Sequence, residues 1–287
     1  MQTKKSYLLL YHPLQAKLQL THVRHHLEKA NKTYSEMPTS GHFGADLQSL
    51  QHYQAAVNRV IVLGGDGTLN LAINAFANTE VEVAIVPCGS GNDFARQWTC
   101  TPTQWVEAAI SQPSRAIDLG KVNDRYFVNV AGVGYDAAVV EACADKRGRW
   151  AHFSYAWQGL KMLYRYAPSA LHFSGNEQSE KRLLMMCFAN GQYFGGGMRL
   201  APEAKIDDGL LQCVQIGAAP FLRQLQALIL SYAGKHTHLQ QVCIDTLEQA
   251  SIHTENVGIE ADGEYIGTTP ATFSVQKSAL NFVVPDC

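Results

Sequence analysis

The stretch "VLGGDGTLNLAIN", Val62 to Asn74, decides how the rest of the chain is read. It starts inside the β-branched run Arg59–Leu63 and ends in helix-like spacing, with Gly64-Gly65-Asp66-Gly67 at the junction. Glycine lets backbone amides crowd toward a ligand and adopts positive φ without cost. A helix that starts immediately afterwards adds the partial positive charge of its N-terminus, and the two together suit an anion such as a phosphate. A Walker-type loop would follow its last glycine with lysine and Ser/Thr. Here Gly67 is followed by Thr68, with no lysine. The loop offers the carboxylate of Asp66 instead, and beside phosphates an anion calls for a divalent cation, most simply Mg²⁺. The alternative is a plain strand-to-helix turn capped by Asp or Thr. A second glycine cluster, Cys88-Gly89-Ser90-Gly91-Asn92-Asp93, follows the next apolar run, Val83–Val86. Two such loops at successive strand ends would share the edge at which open α/β sheets bind ligands.

Outward from this point the first part alternates. Tyr7–Tyr11, Lys32–Glu36, Arg59–Leu63 and Val83–Val86 read as strands; Leu14–Asn31, Ala45–Ala56, Thr68–Phe76 and Thr101–Ser111 read as helices. That alternation predicts a mostly parallel sheet covered on both faces. From Ala116 onward short strand-like runs dominate: Ala116–Val122, Tyr126–Val130, Leu183–Asn190, Leu210–Ile216, Ser251–Thr254 and Ala271–Val275. Two helical stretches interrupt them. One carries Trp150, Phe153, Trp157, Leu160 and Tyr164 on a stripe, with Arg149, Lys161 and Arg165 elsewhere around it; the other repeats Phe221, Leu225, Leu228 and Tyr232. The expected division is an α/β domain over 1–115 and a β-rich domain over 116–278.

Composition sets the outer limits. A chain of 287 residues suits two domains. The formal net charge of −2 gives no bulk attraction to nucleic acid. Seven cysteines, an odd number with no C-x-x-C pair, argue against a disulfide framework or zinc knuckle and for a reducing, cytoplasmic setting. The apolar core of MQTKKSYLLLYHP is short for a secretory signal. No stretch reaches the about 18 uninterrupted apolar residues of a membrane span.

Some motifs are weaker than they look. Gly132-Val133-Gly134-Tyr135-Asp136-Ala137 fits the dinucleotide pattern G-x-G-x-x-A, but it lies in the β-rich half without a βαβ unit around it. His236 and His238 lack a nearby third ligand, and His25-His26 read as surface residues. Asp262-Gly263-Glu264, taken alone, is a hairpin turn.

In combination these segments resemble the diacylglycerol kinase catalytic-domain family, which includes soluble bacterial lipid kinases, sphingosine kinases and ceramide kinases. Gly64–Thr68 and Gly89–Asp93 carry the resemblance first. Thr39-Ser40-Gly41-His42, Asn129–Asp136, Asn190–Gly197 with Ala201-Pro202 and Asp208-Gly209, and Asp262-Gly263-Glu264 extend it in the family's order over almost the whole chain. One segment departs. The family usually opens N-P-x-[S/A]-G-K, and here His12-Pro13-Leu14-Gln15-Ala16-Lys17 keeps only the proline and the lysine in register.

The resemblance implies an α/β nucleotide-binding domain plus a β-sandwich domain (NAD kinase/diacylglycerol kinase-like), with the active site in the cleft and the last strand, Ala279–Pro285, returning within 279–287 to the first domain. It implies phosphoryl transfer from ATP, with Mg²⁺, to a lipid hydroxyl, most simply that of diacylglycerol. Thr39, Gly64, Gly65, Gly67, Thr68, Gly89, Ser90, Gly91 and Asn92 would form the nucleotide site, with Asp66 on the catalytic Mg²⁺ and Asp93 paired to Lys17. Glu264 would be the general base and Asp262 its support, with the two roles open to reversal. Asp208 would hold a structural Mg²⁺ together with main-chain carbonyls of Lys205 and Leu210. The implied partners are ATP, the lipid and, transiently, a membrane surface met peripherally, with the aromatic helix either interfacial or packed on the sandwich. No nucleic acid is expected, and a homodimer is left open. An NAD-kinase-like enzyme with a soluble acceptor shares Gly64–Thr68 but gives no reason for Asn190–Gly197 or Asp262–Glu264. A catalytically silent binding protein is the remaining alternative.

Overall fold

The computed structural model describes residues 6–143 and 151–287, with backbone only in residues 151–157. The chain forms two compact units: residues up to Leu119 together with Lys277–Cys287, and Gly120–Gln276.

The first unit is built on four parallel strands. In chain order its elements are β1 (Ser6–Tyr11), α1 (Lys17–Lys29), β2 (Thr33–Pro38), α2 (Phe43–Gln51), β3 (Arg59–Gly64), α3 (Asp66–Phe76), β4 (Glu82–Pro87), α4 (Pro102–Ser111) and β5 (Arg115–Val122), the last running into the second unit. The strands stand in the order β2-β1-β3-β4. All six residues of β3 are buried, as an apolar run covered on both faces requires. Leu20, Val23 and Leu27 of α1 pack on Leu9, Ile61 and Ala84 in one core. α1 begins at Lys17, later than the spacing from Leu14 suggests, because amides of Gln15 and Ala16 turn back to the His12 carbonyl. Thr101 and Gln104 form a capping box with Pro102 in the first turn, which fixes the start of α4. Cys100 and Cys287 are joined in a disulfide, with Cα atoms 5.3 Å apart, tying Cys287 to the segment before α4, a bond the cysteine spacing does not announce. Five cysteines are free, so this is one bond and not a framework.

The second unit contains β6 (Arg125–Phe127), β7 (Val130–Gly134), α5 (Tyr135–Cys143), α6 (Ala151–Arg165), β8 (Ser169–Ser174), β9 (Gln178–Ala189), β10 (Leu211–Gly217), α7 (Phe221–Ser231), β11 (Val242–Leu247), β12 (Gln249–Ile252), β13 (Gly258–Ala261), β14 (Glu264–Thr268) and the first part of β15 (Ala271–Phe282). The end of β15 returns to the first unit, where Asn281 and Phe282 pair parallel with Glu82 and Val83 of β4.

Strand β9 is shared between two layers of a sandwich. Its first half pairs with β8, and its second half pairs with β7 and β10, all antiparallel. Alternate residues Ala131, Val133, Met186, Phe188 and Phe273 fill the interior, and the Phe188 and Phe273 rings stack at 4.1 Å. The opposite face of β7 and β9 presents Val130, Cys187 and Ala189 to Tyr135 of α5, Leu163 of α6 and Leu225 of α7. Trp150 of the aromatic stripe, Arg149 beside it, and the side chains of Phe153 and Trp157 lie outside the described residues.

Candidate active site

In the first unit the register aligns the strand ends. Tyr11 lies opposite both Pro38 and Leu63, and Gly64 lies opposite Pro87. The loops after β1, β2, β3 and β4 therefore leave the sheet along one carboxyl edge. Chain order reverses between β1 and β3, the position where doubly wound sheets open a crevice.

The two glycine loops touch through their backbones. A side chain at Gly89 would place its Cβ 2.5 Å from the Gly65 Cα, and one at Gly65 would meet the Gly89 Cα at 3.1 Å. At Gly64 a Cβ would run into the Thr68 hydroxyl, so this position also requires glycine. The second loop is closed by Asn92, at φ 51°: its Oδ1 accepts the Gly89 amide at 2.9 Å and its Nδ2 donates to the Gly89 carbonyl at 2.8 Å.

Asp66, in the first turn of α3, binds this second loop. Its Oδ2 accepts the Asp93 amide at 3.0 Å and its Oδ1 the Phe94 amide at 3.1 Å. Each carboxylate oxygen retains a lone pair for a further donor, a water or a cation. Asp93 draws Arg96 of its own turn, Nε to Oδ1 at 3.3 Å, where Lys17 was the expected partner. Lys17 is exposed at the start of α1. Thr39 donates its amide to the Tyr11 carbonyl, and the loop after it is ordered by Asp46, which accepts amides of Ser40 and Gly41. Asp46 reads in the sequence as an ordinary helix residue, and nothing in its spacing marks this role.

In the second unit Asp262 and Gly263 form the two-residue turn between β13 and β14, both with positive φ, 48° and 82°. The hairpin reading of this turn is thus right as to backbone. Its two carboxylates differ. Asp262 accepts three amides, from Val128 at 2.9 Å, Asn129 at 2.9 Å and Val130 at 3.2 Å. Glu264 meets the Arg125 guanidinium at 2.6 Å and keeps 39 % of its side chain exposed. Asp262 is an internal fastener, whereas the Glu264 carboxylate stays partly open to solvent beside Arg125.

A buried acidic pair lies beneath this turn. Gly132 of β7 stands in register between Glu260 of β13 and Cys187 of β9. The space its missing side chain leaves is taken by the Asp136 carboxylate: a Cβ there would overlap Oδ2. Cys187 Sγ lies 3.4 Å from that oxygen. Glu260 Oε2 accepts the Gly263 amide at 2.9 Å, which links the pair to the turn that carries Glu264. Burial raises the Asp136 carboxyl to about 6. Burial first, and the neighbouring Asp136 second, hold Glu260 well above the ordinary carboxylate range. Gly132–Ala137, the false dinucleotide pattern, is in fact this strand-to-helix turn.

The other singled-out segments are placed as follows. Asn190 donates from Nδ2 to the Val128 carbonyl, while the Asn190 and Gly191 amides both donate to the Asn129 carbonyl. Gly195, Gly196 and Gly197 all have positive φ, in a tight loop closed by the Phe194–Met198 bridge. Asp208 is exposed and accepts the Leu210 amide on Oδ1 at 3.1 Å, next to Gly209 at φ 72°. His236 is buried, with Nε2 3.0 Å from the Leu200 carbonyl, which makes it a core residue.

Known proteins agree with this architecture. Residues 7–122 match the diacylglycerol kinase catalytic domain, and residues 129–284 match the YegS C-terminal NAD kinase beta sandwich-like domain. The chain is 27 % identical to a diacylglycerol kinase of Mycobacterium tuberculosis over 84 % of its own length and 83 % of the relative's. It is 28 % identical to a diacylglycerol kinase of Staphylococcus carnosus over 90 % and 87 % of the two lengths. It is 33 % identical to a probable lipid kinase YegS-like of Chromohalobacter salexigens over 61 % and 59 %. A crystal structure of a diacylglycerol kinase from Bacillus anthracis has the same fold, with a TM-score of 0.72 at 17 % identity over 99 % and 97 % of the two chains. The catalytic-domain match covers the glycine loops and the sandwich match covers the Asp262–Glu264 turn, so the chain belongs to the diacylglycerol kinase family of lipid kinases.

Proposed function

We propose that this protein transfers the γ-phosphoryl group of ATP, in the presence of Mg²⁺, to the hydroxyl of diacylglycerol or a similar lipid. The observation that carries this is the backbone contact between Gly65 and Gly89 on the carboxyl edge of the parallel sheet. Such a cradle leaves room for phosphate oxygens to approach main-chain amides, with the start of α3 at hand. Gly64, Gly65, Gly67, Thr68, Gly89, Ser90, Gly91, Asn92 and Thr39 line this edge, and Lys17 follows the β1 loop. The free lone pairs of Asp66 fit a hydrated cation there. A bound Mg²⁺ would offset charge on the transferring phosphate. Glu264 takes the lipid hydroxyl proton as general base, with Arg125 orienting its carboxylate. Asp262 holds the turn. Asp208, with main-chain carbonyls of Lys205 and Leu210, holds a structural Mg²⁺. The donor nucleotide places the reaction in the cytoplasm, where the Cys100–Cys287 bond would be open to reduction. No helix among the described residues is long and apolar enough to cross a membrane. In this reading contact with the lipid phase is made at its surface.

The test is transfer of label from ATP to lipid by the wild type and by Asp66→Ala. Asp66→Ala is expected to keep its fold and lose transfer; undiminished transfer by the folded variant would remove the cation from Asp66.

A further inference from the structure

The second unit carries an apolar surface that holds none of the residues assigned to the reaction. On α7, Leu222 and Ile229 are seven residues apart, hence on one stripe, and are 75 % and 61 % exposed. Tyr232, at the end of the same helix, is 54 % exposed. Tyr164 of α6 is 77 % exposed and meets Phe221 of α7 edge-on at 5.7 Å, which joins the two helices into one surface. The opposite side of α7 is spent on packing, through Gln224, Ala227 and Ser231. Large apolar side chains grouped on the surface mark an interaction site far better than singly scattered ones do.

Charge identifies the occupant. Residues 151–176 and 217–244, which hold α6, α7 and their flanks, contain no aspartate or glutamate. They do contain Lys161, Arg165, Arg223 and Lys235, all exposed. The whole chain has 25 acidic against 23 basic residues, so this is a local segregation of charge. A second copy of the chain applied face to face would set cations against cations. A bilayer containing anionic lipid offers both an apolar phase for the tyrosine, leucine and isoleucine side chains and phosphates for the cations. We infer that the exposed face of α6 and α7, centred on Tyr164, Leu222, Ile229 and Tyr232, is the surface by which the protein docks on an anionic bilayer. This rests on the lipid-kinase reading only in that it names the surface where the kinase would meet its substrate; docking itself requires neither ATP nor a lipid hydroxyl acceptor.

The test separates docking from chemistry. Full-length protein is floated with vesicles of phosphatidylcholine alone and with vesicles of phosphatidylcholine mixed with phosphatidylglycerol, without nucleotide. The expected result is recovery with the mixed vesicles, falling with added salt, and little with the neutral ones. Leu222→Ser with Ile229→Ser should weaken the vesicle affinity about tenfold or more, and Arg223→Glu with Lys235→Glu should do the same while removing the salt dependence. Melting temperature and activity on a short-chain, water-soluble diacylglycerol should match the wild type in both variants. The inference is overturned if wild-type protein does not float with mixed vesicles, or if both variants float as well as the wild type. It is overturned equally if sedimentation shows a dimer that Leu222→Ser with Ile229→Ser dissociates, because a second copy would then occupy the face. Inactivity of the wild type on the short-chain lipid would count against the proposed reaction while leaving the vesicle result to decide the docking.

Discussion

The carboxylate of Asp262 has three amide donors; that of Glu264 has one guanidinium and open solvent. This difference separates two substitutions that the sequence leaves equivalent. Asp262→Ala strips the acceptor from the Val128, Asn129 and Val130 amides, each worth about 1–3 kcal/mol if left buried and unpaired. Its main effect should be a lower melting temperature, with activity lost as the turn loosens. Glu264→Gln keeps the shape and should leave the melting temperature nearly unchanged, while kcat falls by ~10²–10⁴ and nucleotide affinity holds. Thermal melts beside steady-state kinetics distinguish the two; a stable, inactive Asp262→Asn with an active Glu264→Gln would reverse the roles. Asp136 and Glu260 give a pH signature. Both have raised native pKa values, so between about pH 4, where an ordinary carboxyl titrates, and the raised values the native state holds more protons than the unfolded chain. Stability is then greatest below the unfolded pKa and is lost as pH rises through the native ones, near 6 for Asp136. Glu260→Gln removes one of these titrations and keeps an acceptor for Gly263. Its melting temperature should gain on that of the wild type from pH 5 to 8, and a constant difference would show that the native Glu260 carboxyl is not raised above its ordinary range.

Among the elements, legibility follows the strength of the local pattern. β3 and β4 are continuous apolar runs between glycine and polar segments, and the sequence marks them within a residue or two. Their loops are legible for the same reason, since glycine at a strand end has few other uses. β8, β11, β13 and β14 are not legible: β8, β11 and β14 are partly exposed and carry no continuous apolar run, and β13 is only four residues long. α5 hides behind Gly132 and Gly134, which read as a loop until Asp136 is seen filling the space above Gly132. The meeting of Asp136, Glu260 and Cys187 depends on the register of three strands and leaves no local trace. The Cys100–Cys287 bond spans 187 residues and is equally silent. One element-level consequence is checkable. Gly89→Ala sets a Cβ against the backbone of Gly65, so the two glycine loops must separate. Misplacement of about 1 Å costs about 10²-fold in such chemistry, and the loss should be seen in kcat/KM for the nucleotide with little change in melting temperature. Normal kinetics in Gly89→Ala would show that the contact between the loops is dispensable.

At the scale of the whole molecule, one unit supplies a parallel sheet whose carboxyl edge gathers the glycine loops, and the other supplies a sandwich whose β13–β14 turn presents Glu264. Family membership fixes the class of chemistry, and the acceptor is the point to be measured. The most direct measurement incubates the protein with γ-labelled ATP, Mg²⁺ and mixed micelles containing diacylglycerol, a sphingoid base or phosphatidylglycerol, with NAD as the soluble alternative. The expected result is label on a lipid hydroxyl, diacylglycerol first, that depends on Mg²⁺ and is lost in Glu264→Gln while that variant still binds ATP. Label on NAD alone, or lipid labelling that survives in Glu264→Gln, would contradict it.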